Sequence, residues 1–284
     1  MAVNLQQLEK DGIYEAKASL ASLLSDLDQI GTFAQDVAAR KKQQGRIGLY
    51  IMLAGLVGLA VGLFLPLPMP LSSLAIVGGL GWWLYSLFSK GKLLEHPKRL
   101  EIAKERLATI QADAKPEKPF TLRLALASNP VQLSKEAWHG RKNGKQELSE
   151  ECWLSLEGPL LDGCVVTDEV KELLRKRTYS NARGKYKSKS RVTYLVNVRF
   201  CYPQERYGDA RAAEQALKGT VKMGPAATLR SLRVTEKAIA LKAMVSSDRE
   251  IAPAACMLSL GAYRILNLAR RMVGPSGAAG GNTK

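Results

Sequence analysis

Apolar residues dominate one long stretch near the start of the chain. The 43 residues between Arg46 and Lys90 contain no charged side chain. Within this stretch, residues 47–65 and residues 71–88 each approach the roughly 20 apolar residues that a helix needs to cross a bilayer. The prolines of the connecting segment, residues 66–70, end the first helix. The pattern therefore predicts a transmembrane helical hairpin with two spans.

Positive charge clusters on both sides of this hairpin, and its turn carries none. The flanking cations are Arg40, Lys41, Lys42 and Arg46 before the hairpin and Lys90, Lys92, Lys98 and Arg99 after it. Because clusters of Lys and Arg stay on the cytoplasmic side of a membrane, both termini and the main domain are expected there. The predicted location is a bacterial-type inner (plasma) membrane.

Small residues recur at four-residue spacing along one face of each span. They are Ala54, Gly58 and Gly62 in the first span and Ala75 and Gly79 in the second. Small residues let helix backbones approach closely, so this face is predicted to pack, either between the two spans or between subunits. Neither span contains Asp, Glu, His, Lys or Arg, which argues against a proton relay or a charged ion path.

Apolar residues at alternating steps of three and four flank the hairpin. The stripes are Ile13, Ala16, Leu20, Leu23, Leu27, Ile30, Ala34 and Val37 before it and Leu100, Ala103, Leu107, Ile110 and Ala114 after it. This heptad spacing predicts two helices. The hairpin returns the chain to the same side, so the stripes can meet as an antiparallel pair, with an intersubunit coiled coil as the alternative. We expect Leu20, Leu23, Leu27 and Ile30 to carry self-association into a homo-oligomer.

The pattern changes to strand-like alternation after a proline-containing linker. Apolar and polar residues alternate in residues 120–126, 152–156, 192–200 and 239–245. Residues 168–177 fit either a helix or a strand that pairs with residues 190–202.

Helical spacing returns near the end of the chain. Apolar residues from Ile251 to Met272 follow Ser247 and Glu250, whose spacing fits a capping box, and this pattern predicts a final helix. Residues 139–150 and 177–190 are predicted to be polar loops.

Together these patterns predict a membrane protein of the α+β class with five parts. They are an amphipathic heptad helix at 1–46, the transmembrane hairpin at 47–88, a second heptad helix packing on the first at 89–115, a basic cytoplasmic α+β domain with a mostly antiparallel sheet at 116–273, and a disordered glycine-rich tail at 274–284.

Charge is distributed unevenly along the chain. Its 42 Lys and Arg residues against 26 Asp and Glu give a net charge of +16, and the first 89 residues carry equal numbers of both. The whole excess therefore belongs to the remainder. From Leu173 to Gln204 there is no acidic residue. The nine cations of this segment are Arg175, Lys176, Arg177, Arg183, Lys185, Lys187, Lys189, Arg191 and Arg199.

Such a charge run is often only a solvated surface. The functional alternative is an anion-binding surface, with three tyrosines (Tyr179, Tyr186 and Tyr194) interleaved among the cations. Anionic lipid headgroups, nucleic acid and an acidic protein all fit such a surface.

Candidate chemistry is sparse. The four cysteines and two histidines (Cys152, Cys164, Cys201, Cys256, His96, His139) show no zinc-site spacing, and the common catalytic motifs are absent. His139 is expected to be solvated and Cys201 to be a buried strand thiol. No metal, no cofactor and no catalytic site are expected.

These observations favour a non-enzymatic, membrane-anchored scaffold or adaptor. It would self-associate and present its basic domain to an anionic partner: a cytoplasmic protein, membrane lipids or nucleic acid. The alternative is a subunit of an oligomeric channel or membrane-perturbing effector that its cytoplasmic domain gates.

Overall fold

A computed structural model describes residues 8, 10–62, 77–82, 84, 95–137, 144–180, 184–211, 213–214 and 223–273. The strands are β1 (Ile13–Ala18), β2 (Phe120–Ala125), β3 (Val131–Ala137), β4 (Lys145–Pro159), β5 (Val165–Ser180), β6 (Tyr186–Cys201), β7 (Ala227–Val234) and β8 (Ala238–Val245). The helices are α1 (Leu20–Gly62), α2 (Pro97–Gln111), α3 (Gln204–Tyr207) and α4 (Ile251–Val273).

One antiparallel sheet organises these elements. Its strand order is β1-β2-β4-β5-β6-β8-β7, and β3 pairs with β4 beside this path. The expectation of an α+β fold with a mostly antiparallel sheet is confirmed. The four segments with strand-like alternation all lie in strands, and residues 168–177 belong to β5, which pairs with β6.

The sheet has one covered face and one open face, because successive side chains of a strand point to opposite sides. On the covered face, Leu122, Leu154, Val198 and Leu241 are fully buried beneath α2 and α4. On the open face, side chains such as that of Lys242 are exposed. Charged side chains on this open face are therefore available to a partner, except where they already form ion pairs, as Lys171 does with Glu150 and Arg123 with Glu15.

Helices α1 and α2 pack against each other in opposite directions. Lys104 Nζ bonds Asp28 Oδ1 at 2.6 Å, and Leu100 lies against Gly31, 3.6 Å from where a Cβ would be. The first turns of α1 and the inner side of α2 belong to the same hydrophobic core as the covered face of the sheet.

Strand β1 replaces the start of the predicted N-terminal helix, which is a correction. Residues 13–18 pair with β2 instead of forming a helix, so Ile13 and Ala16 belong to the sheet. Gly12, at φ +69°, turns the chain into the strand, and the Ser19 hydroxyl accepts the backbone N–H of Ser22 where α1 begins. The reason is that β2 supplies backbone hydrogen-bond partners from more than 100 residues away, and local periodicity cannot reveal them.

The two predicted polar loops are largely strand, which is a second correction. Residues 145–150 belong to β4, and residues 177–180 and 186–190 belong to β5 and β6. These segments lack apolar alternation, yet their backbones pair in regular register. Lys145↔Thr178 and Lys176↔Ser190 are typical pairs. Backbone pairing to neighbouring strands therefore extends the sheet beyond the hydrophobic core.

Gly158 in β4 allows the close approach of Phe120. A Cβ at this position would overlap the Phe120 ring, which is fully buried on the covered face. A side chain at residue 158 would therefore displace the ring from the core.

The predicted spans coincide only in part with described helices. Residues 47–62 form the end of α1 and residues 77–82 are helical, while the turn at residues 66–70 lies outside the described residues. Within the described part of the chain, one segment, Asp248–Met272, is long and apolar enough to cross a membrane, and half of it is buried in the fold. That segment contains most of α4, which packs on β6 and β8. The two-span topology is therefore not confirmed by this criterion.

Candidate functional site

The β5–β6 hairpin carries most of the predicted anion-binding residues. Its two strands of 16 residues each pair from Val165↔Cys201 to Ser180↔Tyr186. Because Val166 and Phe200 are buried on the covered face, the odd-numbered residues of both strands lie on the open face.

Six of the nine predicted cations share the open face. They are Arg175, Arg177, Lys187, Lys189, Arg191 and Arg199. Lys176 lies on the opposite face and Lys185 lies in the turn that precedes β6, while Arg183 is outside the described residues.

Three further cations, which the sequence analysis missed, complete this surface. Lys242 lies beside Asn197 in the pairing of β8 with β6, Arg233 lies one strand further along, and Arg230 contacts Met244 Sδ at 3.5 Å. They are separated from the β5–β6 segment in sequence, so only the strand order brings them together.

Lys171 and Arg123 also lie on the open face, where they form ion pairs with Glu150 and Glu15. We call the other nine open-face cations of β5 to β8 the basic face: Arg175, Arg177, Lys187, Lys189, Arg191, Arg199, Arg230, Arg233 and Lys242.

Like charges stand directly opposite each other in the basic face. Arg175 pairs with Arg191 and Arg177 pairs with Lys189 across the two strands. Like charges in such positions destabilise a sheet. Arg177 Nε donates to Gln146 Oε1 at 2.9 Å. An anion bound here would relieve this repulsion, so the arrangement favours anion binding.

Two buried arginines of α2 join the helix to the covered face. The first, Arg99, donates to both carboxylate oxygens of Glu151 at 3.1 and 2.9 Å and to Glu172 at 3.0 Å. Burial alone would raise the pKa of Glu151. Hydrogen bonds from Arg99 and from the Asn129 N–H outweigh it and hold this pKa below its ordinary value. Glu151 is therefore ionised at neutral pH and serves as a structural partner.

The second arginine, Arg106, links three elements. Its Nε donates to Asp168 Oδ2 at 2.5 Å and its Nη2 to Ser259 Oγ at 2.6 Å, which connects α2 with β5 and α4. Asp168 is only 2% exposed, and this burial raises the pKa of its carboxyl group, while the guanidinium of Arg106 opposes the rise. The pair fixes the position of α2 on the sheet.

A cavity of about 200 Å³ lies at the N-terminal end of α2. His96, Arg99, Trp153, Glu172 and Tyr194 are among the residues that line it. The ring nitrogens His96 Nε2 and Trp153 Nε1 are buried there without a hydrogen-bond partner in the described structure. The volume is below the range of about 300–1,000 Å³ typical of small-molecule and cofactor sites.

The remaining candidates for chemistry do not converge. All four cysteines are free, and burial raises the pKa of the Cys164 thiol, which disfavours a reactive thiolate. His139 lies outside the described residues, and Cys201 is half-buried at the end of β6. Among the described residues, no group of three His, Cys, Asp or Glu side chains could hold a metal ion.

The α1 residues that were predicted to carry self-association are buried within the chain's own core. Leu20, Leu23, Leu27 and Ile30 are at most 4% exposed in the core shared with α2 and the sheet. This corrects the prediction, because buried side chains cannot contact a second copy.

The predicted small-residue face is described only in part. Ala54 is exposed and Gly79 is buried. Gly58 and Gly62 are helical residues of α1 whose surroundings are not described, and Ala75 lies outside the described residues.

Comparison of the chain with protein-family models, curated proteins and solved structures gives no match, so the geometry described above carries the functional assignment.

Proposed function

We propose that the chain is a non-enzymatic adaptor, anchored in a bacterial-type inner membrane, that presents the basic face to an anionic partner in the cytoplasm. One observation carries the proposal: helices cover one face of the sheet, while the nine cations of the basic face lie on β5 to β8 of the open one. The open face also carries acidic residues elsewhere in the sheet, among them Glu15 on β1, Glu150 and Glu157 on β4 and Glu169 in the first part of β5. A sheet that has only one covered face needs no cations on the other for its stability. Their concentration, at a cost in like-charge repulsion, indicates binding.

Exposed apolar side chains on the last part of α1 support the membrane anchor. Tyr50 and Val57 are 65% and 63% exposed, and Leu53 and Leu56 are exposed as well. A helix in water normally directs such residues to a protein core, whereas a helix that is apolar all round suits a membrane.

A contact between the two apolar segments supports the hairpin. Trp82 Nε1 donates to the backbone oxygen of Gln44 at 3.2 Å. This bond joins Trp82, in the second segment, to a residue just before the first segment, and such a contact supports an antiparallel arrangement of the two. Gly55 and Gly79 are buried while the large apolar residues around them are exposed, which suits close helix packing. Residues 47–65 and 71–88 are therefore proposed as two spans.

Self-association stays a prediction, now limited to surfaces other than the buried residues of α1. The channel or effector alternative also stays a prediction, and no contact among the described residues favours it over the adaptor.

Retention of the full chain on a heparin column, in neutral detergent, tests the basic face. We expect the triple variant Arg199→Glu, Arg233→Glu, Lys242→Glu to elute at a clearly lower salt concentration than the native chain. Anion binding that depends on several cations weakens steeply with salt, and each lost contact lowers that dependence.

The matched control is the triple variant Arg264→Glu, Arg270→Glu, Arg271→Glu. It changes the net charge by the same amount at exposed positions of α4, on the opposite side of the sheet. A much smaller shift in this control supports the basic face as a defined surface. Equal shifts in both variants would show that only net charge matters and would contradict the proposal.

A further inference from the structure

The buried arginines of α2 define the direction in which the β5–β6 hairpin points. Arg106 contacts Asp168 and Arg99 contacts Glu172, so β5 runs toward the N-terminal end of α2 as its residue numbers rise. That end of α2 follows the proposed second span in sequence. The distal half of β5 therefore continues beyond α2, toward the proposed bilayer.

Helix α1 provides a scale for the distance to that bilayer. Gly31 lies level with Leu100 in the antiparallel pair, and α1 continues without interruption to the start of the proposed first span at residue 47. Sixteen residues at about 1.5 Å each correspond to about 24 Å.

The hairpin covers a similar distance. Strand β5 extends eight residues from Glu172, near the level of Leu100, to its end at Ser180. At about 3.3 Å per residue this is about 26 Å. The end of the hairpin thus reaches the height at which α1 enters the proposed membrane.

Cations concentrate at that end of the hairpin. Residues 175–180 and 186–191, here called the hairpin tip, contain six cations and no acidic residue. Residues 186–191 are all exposed, and Tyr186, at 72%, is an aromatic residue of the type found at membrane interfaces. Each cation close to an anionic leaflet is attracted to it, and this attraction falls off within a Debye length of about 8 Å.

We propose that the hairpin tip binds the anionic lipid headgroups of the membrane in which the chain itself is anchored. The inference rests on the proposed function and names the partner for the distal part of the basic face. A tip at bilayer height meets headgroups at a high local concentration, whereas a soluble anion would have to displace them. Lipid binding would hold the sheet in a fixed orientation to the membrane and leave Arg199, Arg233 and Lys242 free for other contacts.

Backbone amide exchange of the full chain in nanodiscs tests this inference. Strand β8 pairs with β6 only from Tyr194 to Cys201, so the alternate backbone amides of residues 186–193 that are not directed toward β5 lie along an edge with no strand partner in the described structure. We expect these amides to exchange about three- to tenfold more slowly in nanodiscs of mixed phosphatidylglycerol and phosphatidylcholine than in phosphatidylcholine alone. Amides of β7 and β8 are expected to exchange equally in both.

Two variants provide the comparison. Lys187→Glu, Lys189→Glu, Arg191→Glu is expected to abolish the difference between the two lipids, whereas Arg199→Glu, Arg233→Glu, Lys242→Glu is expected to retain it. Both change the charge of the basic face equally, and only the first changes the tip.

The outcomes separate this inference from the proposed function. Equal exchange of the native tip in both lipids, with the chain retained in the nanodiscs, would overturn lipid binding and leave the anchor intact. Protection that is independent of lipid and lost after nuclease treatment would overturn it in favour of nucleic acid. A chain that leaves both kinds of nanodisc would overturn the anchor, and the lipid inference with it.

Discussion

Replacing Arg106 with alanine is expected to lower the free energy of unfolding by about 3–5 kcal/mol, the usual cost of removing one partner of a buried ion pair. The variant would leave Asp168, which is 2% exposed, without its guanidinium partner. Its Oδ1 atom already has no hydrogen-bond partner in the described structure, so the variant would leave both oxygens of this buried carboxylate without a partner from Arg106. The loss is measured by chemical denaturation of the full chain in detergent, followed by circular dichroism.

Lys104→Ala is the control for this prediction. Lys104 is also on α2 and also forms an ion pair, but its side chain is 30% exposed and that of Asp28 is 74% exposed. Exposed pairs contribute about 0–1 kcal/mol, so this variant is expected to unfold almost like the native chain. Equal losses in the two variants would show that burial of Asp168 does not determine the strength of the Arg106 pair.

Replacing Leu27 with lysine is expected to unfold the chain rather than to dissociate an oligomer. Leu27 is fully buried against α2 and the sheet, and an unpaired ammonium group there costs several kcal/mol. That cost is a large part of the roughly 5–15 kcal/mol that stabilises a typical folded domain. Circular dichroism and light scattering after size exclusion, on the same detergent-solubilised sample, measure folding and mass together.

Gln29→Lys places the same side chain two residues away, on the exposed side of α1. We expect this control to remain folded with an unchanged mass. A Leu27→Lys variant that keeps its circular dichroism but falls to a smaller mass would restore the original expectation that this stripe joins subunits.

The apolar stripe of α1 shows what hydrophobic periodicity does and does not predict. Apolar residues at Leu20, Leu23, Leu27 and Ile30 correctly indicate a buried face, because helical spacing places them on one side. The spacing does not identify what covers the face. Here α2 and the sheet do so, and contacts of that kind link segments that are distant in sequence.

The strands show the same limit. Alternation in residues 192–200 predicts β6 because one side of that segment is buried. The tip of the hairpin has no apolar side chains to alternate, so its polar sequence resembles a loop. Strand β1 could not be recognised in the sequence for a related reason. It is only six residues long, and its apolar residues continue the three- and four-residue spacing of the helix that follows it. Backbone pairing with distant partners decides both cases.

The basic face was predictable only in part. The charge run in β5 and β6 is visible in the sequence, and six of its nine cations share one face. Arg230, Arg233 and Lys242 could not be assigned to the same surface, because their position depends on the pairing of β6 with β8 and of β8 with β7. The direction of the hairpin depends on the contacts of Arg99 and Arg106, which no local pattern contains.

We propose that the chain crosses the membrane twice and keeps its sheet in the cytoplasm. Cysteine accessibility to a membrane-impermeant maleimide, in spheroplasts of a bacterial host that express the full chain, tests it most directly. Met69→Cys places a thiol in the proposed turn between the spans, and Gln132→Cys places one at an exposed position of β3. The native chain, with its four cysteines, provides the background labelling.

We expect Met69→Cys to be labelled above this background in intact spheroplasts, and Gln132→Cys to be labelled only after permeabilisation. Labelling of Gln132→Cys in intact spheroplasts, or protection of Met69→Cys until permeabilisation, would contradict the proposed topology.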